Sequence, residues 1–286
     1  MRRVLQAIRP GSWQGKRIWL LAAIMLGLTV AGLAAWWLLA ESPARREDRT
    51  LKRVQQERLL RVGLDASYPP FEDIDEDTKE IFGFDVDLAR EVGRRLGAEV
   101  EIANIGFDGL YEALTADKVD VLISGLPYDA RMTEDVAYSV AYFNAGQVLV
   151  VRQDNTTIRE TGDLAGRSLA VEWGSTADME ARQLVKKLPG LKPKLYPSAQ
   201  DALVALKGGQ SDAALVDAIS AYQFIGQEGG LKAVGRPLTD ELYVIAVRPQ
   251  SRKLLSQIND ILLKMRVDGT LERLQIKWLG AKALPL

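Results

Sequence analysis

GFDVDLAREVGRRLGAEVEIAN (residues 83–104) changes its hydrophobic period midway, and that change decides the fold. Leu88, Val92 and Leu96 share one face of a helix over 84–97 that Gly97 stops, and AEVEIAN (98–104) then alternates as a strand. Upstream, RLLRVGLD (58–65) reads as a strand. Downstream, GLYEALTADK (109–118) reads as a short helix and VDVLISG (119–125) as a buried strand. Strands alternating with helices build parallel sheets with crossover helices, so the fold class is α/β.

The alternation breaks and restarts. YFNAGQVLVVR (142–152) and RSLAVEWG (167–174) are strand-like, and a helix opens at Ser175 with Asp178 three residues on, the spacing of a capping box. Ser198 and Asp201 open another helix in the same way. DAALVD (212–217) is a strand, followed by a helix through Phe224 that ends at Gly229-Gly230. ELYVIAV (241–247) is a last strand, and 251–279 is helical with an interruption at Asp268-Gly269-Thr270. Two similar blocks with a returning tail predict two lobes, 51–143 with 239–286 and 144–238.

The N-terminal part differs in kind. IWLLAAIMLGLTVAGLAAWWLLA (18–40) carries no charge and, as a helix, spans roughly 35 Å, enough to cross a bilayer core. Trp19, Trp36 and Trp37 bracket it where indoles favour the interfaces. Arg2, Arg3, Arg9, Lys16 and Arg17 precede it, so residues 1–17 read as a cytoplasmic basic flank and everything after Ala40 as exported. Its length favours a retained anchor over a cleaved signal, although Ser42-Pro43-Ala44 offers small residues for cleavage. Residues 41–50 read as a linker.

The whole chain of 286 residues has 37 Lys and Arg against 38 Asp and Glu, a net charge of −1. Five of those bases lie before residue 41, where there is no acid, leaving 32 bases against 38 acids, or −6, beyond. An acidic exported body gives no electrostatic reason to bind nucleic acid. With no histidine and no cysteine, nucleophiles that need a His partner and His or Cys zinc sites are excluded. Neither Gly-rich phosphate-loop pattern occurs, and no cofactor or metal is expected. The acidic run DIDEDTKE (73–80) lacks the glycine and terminal glutamate of a calcium loop and reads as a solvated hairpin tip.

Asp65, Tyr68, Ser124 and Asp217 lie at or just beyond the carboxyl ends of expected strands, where open α/β sheets bind ligands. Arg131 follows a strand and turn, and Ser175 and Thr176 open a helix whose free N–H groups suit an anion. A guanidinium and a helix N-terminus for a carboxylate, with a separate carboxylate for an ammonium, fit a zwitterion receptor. Each residue equally fits a cap or a surface polar group.

The motifs themselves resemble the family 3 bacterial extracellular solute-binding proteins, the polar amino-acid receptors of ABC importers. GFDVDLAREVGRRL (83–96), RVGLDASYPPF (61–71), VDVLISGLPYDARMTEDVAYS (119–139), VEWGSTAD (171–178) and SDAALVD (211–217) match its blocks in order, over about residues 50–280. The resemblance implies a two-lobed periplasmic-binding-protein-like fold with hinge strands that closes on its ligand, here preceded by one N-terminal transmembrane helix. It implies that Tyr68 and Phe107 sandwich the ligand side chain and that Arg131, with Thr176, holds the α-carboxylate. Asp217 then pairs with the α-ammonium, Ser124 and Gly125 line the cradle, and Asp65 reaches towards a polar or basic side chain or orients neighbouring backbone. Partners implied are a small amino acid or related zwitterion and an ABC permease. The resemblance places the binding part in the periplasm or extracellular space as an expectation.

One departure stands out. Pro127 replaces the Ser or Thr usual in the family and supplies neither N–H nor hydroxyl, and the turn to Arg131 is one residue shorter. A non-standard ligand, or compensation by Tyr128 or water, follows. Two other functions share the resemblance: a cyclohexadienyl dehydratase-like enzyme with Glu172 as its acid, and a ligand-sensing subunit of a signalling system. The expectation is a receptor rather than an enzyme.

Overall fold

The computed structural model describes Met25, Thr29 and residues 49–284. The apolar run 18–40, apart from Met25 and Thr29, lies outside the described residues, as do the flank 1–17 and most of the linker. Among the described residues no helix is long and apolar enough to cross a membrane. Two units divide the chain, Met1–Glu47 and Asp48–Leu286, and the elements that follow belong to the second.

Ten strands form two five-stranded sheets. In chain order they are β1 (Leu59–Leu64), β2 (Glu99–Asn104), β3 (Val121–Leu122), β4 (Ala137–Tyr138), β5 (Gln147–Arg152), β6 (Ser168–Glu172), β7 (Lys192–Tyr196), β8 (Ala213–Asp217), β9 (Leu231–Val234) and β10 (Ala246–Val247). The first sheet runs β2-β1-β3-β10-β4 and the second β7-β6-β8-β5-β9. β1 is parallel to β2 and β3, while β10 returns antiparallel to β3 and β4. The second sheet repeats the scheme, with β6, β7 and β8 parallel and β5 antiparallel to both of its neighbours, β8 and β9.

Helices cover the sheets: α1 (Thr50–Glu57), α2 (Phe84–Leu96), α3 (Leu110–Thr115), α4 (Thr176–Lys187), α5 (Ala199–Lys207), α6 (Ala218–Glu228), α7 (Arg252–Val267) and α8 (Thr270–Leu279). In α2, Leu88, Val92 and Leu96 are buried with Phe84, Val86 and Ala89, each large side chain contributing roughly 1.5–3 kcal/mol. Asp85 and Asp87 in its first turn and Arg94 and Arg95 in its last suit the helix dipole, and Gly97 at φ 76° ends it.

The chain crosses from the first sheet to the second through Phe143–Asn144 and returns through Leu242–Tyr243, and the two segments pair antiparallel. Phe71 packs on both, with ring centroids 5.3 Å from Phe143 and 5.3 Å from Tyr243. One apolar cluster therefore runs from Val62 and Val121 through these rings to Val148 and Val216.

Three expected strands are shorter. The run 119–125 pairs as a ladder only at Val121–Leu122, because Gly125 turns out of it at φ 46°. The run 142–152 breaks at Ala145-Gly146, where a Cβ on Gly146 would lie 1.8 Å from the Thr239 carbonyl. The run 241–247 breaks at Val244-Ile245, whose N–H groups donate to the Leu126 carbonyl and the Ser139 hydroxyl.

Candidate functional site

A cavity of about 330 Å³ opens at the carboxyl ends of β1 and β3. The first turn after β1 supplies Asp65, Ser67 and Tyr68, the turn after β3 supplies Ser124, Gly125 and Pro127, and Phe107 follows β2. Glu72 closes it from below, and Glu241 and Tyr243 reach in from the returning crossing segment.

Local hydrogen bonds fix this wall. Asp65 Oδ2 accepts from the Phe107 N–H at 2.8 Å and Oδ1 from the Ser67 hydroxyl at 2.8 Å, so it does orient neighbouring backbone while lining the cavity. Ser124 Oγ accepts from the Asp65 N–H at 2.9 Å and donates to Glu72 Oε1 at 2.7 Å. The Tyr68 ring stacks on Phe71 with centroids 5.6 Å apart, and its hydroxyl lies 2.9 Å from that of Tyr243. Tyr68 and Phe107 each leave about two-fifths of their surface exposed, at 41% and 45%.

A second cavity, of about 300 Å³, opens on the other sheet and is lined by Gln147, Glu172, Ser175, Thr176, Ala177, Ala199, Val216 and Asp217. Ser175 caps α4: its hydroxyl accepts from the Asp178 N–H at 3.2 Å and donates to the Glu172 carbonyl at 2.8 Å. Asp178 does not close the capping box on Ser175, but accepts from the Gly174 N–H and forks Arg182. Asp217 ends β8 and caps α6 through the Ser220 N–H at 2.8 Å, while lining the cavity.

Eight of the nine residues singled out from sequence thus fall into two groups. Asp65, Tyr68, Phe107, Ser124 and Gly125 line the first cavity, and Ser175, Thr176 and Asp217 the second. Arg131 lines neither; its side chain is 90% exposed and forks Asp129, with Nε to Oδ1 at 3.0 Å and a terminal nitrogen to Oδ2 at 2.7 Å. These bonds hold the Asp129 carboxyl down at about 2.

Sequence reasoning did not single out Glu72, Glu241, Tyr243 or Gln147 as ligand-facing. The signal available for the first was an acid directly after the apolar Pro-Pro-Phe run; for Glu241 and Tyr243 it was their period of two on one expected strand.

The charge balance is one-sided. Asp65, Glu72 and Glu241 in the first cavity and Glu172 and Asp217 in the second make five carboxyl groups, with no Lys or Arg among the lining residues. Burial pushes the Tyr68 phenol up, and the carboxylates of Glu241, Asp217 and Glu72 push it further. Asp217 belongs to the second sheet, so the negative field of one cavity reaches the other.

Two sheets, each with a polar cavity at its strand ends and joined by a two-strand crossing, define a two-lobed solute receptor of the periplasmic-binding type. The chain belongs to the bacterial extracellular solute-binding proteins, family 3, whose profile matches residues 60–281. It is similar to ABC transporter arginine-binding protein 1 of Escherichia coli K12, 30% identical over 77% of this chain and 90% of that one. The L-cystine-binding protein TcyJ of the same organism is also 30% identical, over 82% and 88%. Among solved structures, an ancestral cationic amino acid solute-binding protein is 31% identical, covering 80% of this chain and 99% of that one, with a TM-score of 0.57. An ancestral cyclohexadienyl dehydratase is 27% identical, covering 80% and 95%, with a TM-score of 0.71.

Proposed function

We propose that this chain captures a basic amino acid between its lobes and delivers it to an ABC importer, tethered to the membrane by residues 18–40 with the lobes outside. The observation that carries the basic ligand is the set of five cavity carboxyls without a lining base. An anionic side chain entering the first cavity meets three carboxyl groups and no base, whereas a cationic one finds partners that compensate its charge.

In this reading lobe 1 is 51–143 with 239–286, lobe 2 is 144–238, and the paired crossing segments are the hinge. The ligand's cationic side chain lies between Tyr68 and Phe107 towards Asp65 and Glu241. Its α-ammonium meets Asp217, and its α-carboxylate meets the N-terminus of α4 at Thr176. Arg131 joins the carboxylate by exchanging Asp129 for it. Pro127 withholds a donor, so the α4 terminus and Arg131 carry most of the carboxylate recognition. Arginine-binding and cationic amino-acid-binding relatives support the same ligand class.

The test is a thermal-shift screen of the full chain in detergent against the twenty amino acids and ornithine. A ligand at a hundred times its Kd stabilises by about 2.7 kcal/mol, which raises Tm by about 5 °C or more in a chain of this size. L-arginine, L-lysine or L-ornithine is expected to give that shift. A shift from acidic amino acids alone, or from none, overturns the proposal.

The dehydratase-related neighbour and the position of Glu172 in the second cavity support a second reading, acid-assisted loss of water and carbon dioxide from prephenate. The receptor reading expects no phenylpyruvate from prephenate incubated with the protein; its formation at an enzymatic rate decides for the second.

A further inference from the structure

Beneath the first cavity lie two carboxyls without a cation. Glu72 and Asp85 are both fully buried, and Glu72 lines the cavity. Glu72 Oε1 accepts from Ser124 Oγ, and Asp85 Oδ2 accepts from the Gly125 N–H and from the Tyr142 hydroxyl at 2.8 Å. The remaining oxygen of each, Glu72 Oε2 and Asp85 Oδ1, is buried with no donor. Ser124 and Gly125, which hold them, are consecutive, so the two carboxyls are neighbours, and each acts on the other's proton affinity. One proton between them removes one of two adjacent buried charges and supplies a donor to a pair that has two unpartnered oxygens.

The donors Ser124, Gly125 and Tyr142 favour the charged forms, but burial, the larger influence on both groups, opposes two charges. Asp65 adds negative field from the end of β1, and the groups from the crossing segments and the Tyr68 turn are the phenols of Tyr142, Tyr243 and Tyr68. Burial, then the neighbouring Asp85, pushes the Glu72 carboxyl well up, and burial pushes Asp85 up less. Glu72 is the member that keeps the proton. The pair also holds the cradle, since Ser124 and Gly125 each donate to one of its oxygens.

We propose that Glu72 shares one proton with Asp85 in the empty protein and that a cationic ligand group entering the cavity beside Glu72 expels that proton to solvent, so that ligand binding and proton release are one event. The O–H bond of Glu72 breaks, the proton passes to water or buffer, and the new carboxylate offsets the ligand's charge. The displacement rests on the reading of the ligand as basic; the shared proton does not.

The test uses the full chain in detergent and the Glu72→Gln variant, whose amide donates to Asp85 and accepts from Ser124 as the protonated acid does. L-arginine is titrated calorimetrically in two buffers of different ionisation enthalpy, between about pH 6 and 8, where the guanidinium does not titrate. The wild type is expected to release a fraction of a proton, its affinity rising by up to about tenfold per pH unit. In Glu72→Gln both effects disappear.

A ligand-free arm stands beside it. With its pKa raised above the usual value of about 4.3, Glu72 binds more proton folded than unfolded, so its own contribution to stability falls as pH rises through and above that range. The Tm of Glu72→Gln relative to wild type is expected to climb steadily from about pH 5 to 8. Arginine binding with no buffer dependence overturns the displacement, and parallel melting curves overturn the shared proton. No heat from L-arginine, L-lysine or L-ornithine overturns the ligand reading and the displacement with it, while the melting curves still decide the proton.

Discussion

Gly125 is where the cradle meets the aromatic wall. It stands at φ 46°, and a Cβ there would lie 2.9 Å from Cδ1 of Tyr68, so both its backbone and its surroundings exclude a side chain. Gly125→Ala therefore costs about 1–2 kcal/mol in backbone strain and pushes the Tyr68 ring off Phe71. We expect Tm to fall by a few degrees and calorimetric affinity for a basic amino acid to drop about tenfold or more. An affinity within twofold of wild type would remove Tyr68 from the ligand wall. Single residues were legible in the sequence where a motif ties them to a strand end, as with Asp65, Ser124 and Asp217. Arg131 was not placed by its motif, because a turn one residue shorter leaves its guanidinium on Asp129. Glu241 was hidden for another reason: its place in the cavity depends on a crossing segment more than a hundred residues from the rest of the wall.

At the scale of elements, legibility followed self-sufficiency. Helix α2 was readable end to end because its apolar face, its charged turns and its Gly97 stop are all local. Runs 119–125 and 241–247 read as continuous strands, yet the first turns away at Gly125 and the second changes pairing partner, from Phe143–Asn144 to Val121–Leu122 and Ala137–Tyr138, which no local pattern records. Helix α4 shows how an element serves both fold and site. The Ser175 hydroxyl is occupied by Asp178 N–H and the Glu172 carbonyl, and in the proposed reading the anion is met by the next residue, Thr176, at the first helical position. Ser175→Ala removes an N-cap worth about 1 kcal/mol and frays that terminus. The expected outcome is a Tm lower by about 2–4 °C together with a several-fold weaker response to a basic amino acid, read in one thermal-shift titration. Unchanged affinity with lowered Tm would leave Ser175 a cap only and detach the α4 terminus from ligand binding.

For the molecule as a whole, the two cavities pose an electrostatic problem that a cation solves. Asp217 on the second sheet and Glu241 at the first cavity both raise the Tyr68 phenol, so carboxylates of the two sheets act on the same group. Closing the lobes without a ligand brings these carboxylates together in a medium of falling dielectric, where their repulsion grows. A ligand with an ammonium for Asp217 and a second cation for the first cavity turns that repulsion into attraction, and the crossing segments Phe143–Asn144 and Leu242–Tyr243 are the place to absorb the movement. Because the chain has no cysteine, two engineered cysteines carry spin labels without background. Glu112→Cys on α3 and Gln183→Cys on α4 place one label on each lobe, on exposed positions whose helices start at the cavity rims. Saturating L-arginine is expected to shift the inter-label distance distribution to shorter values. Adding Asp217→Asn to the labelled chain keeps the helix cap in shape but removes the charge proposed to pair with the ammonium, and the shift is expected to be lost. A distribution that already sits at the short distance without ligand, or that ignores arginine in a protein that binds it, overturns ligand-driven closure.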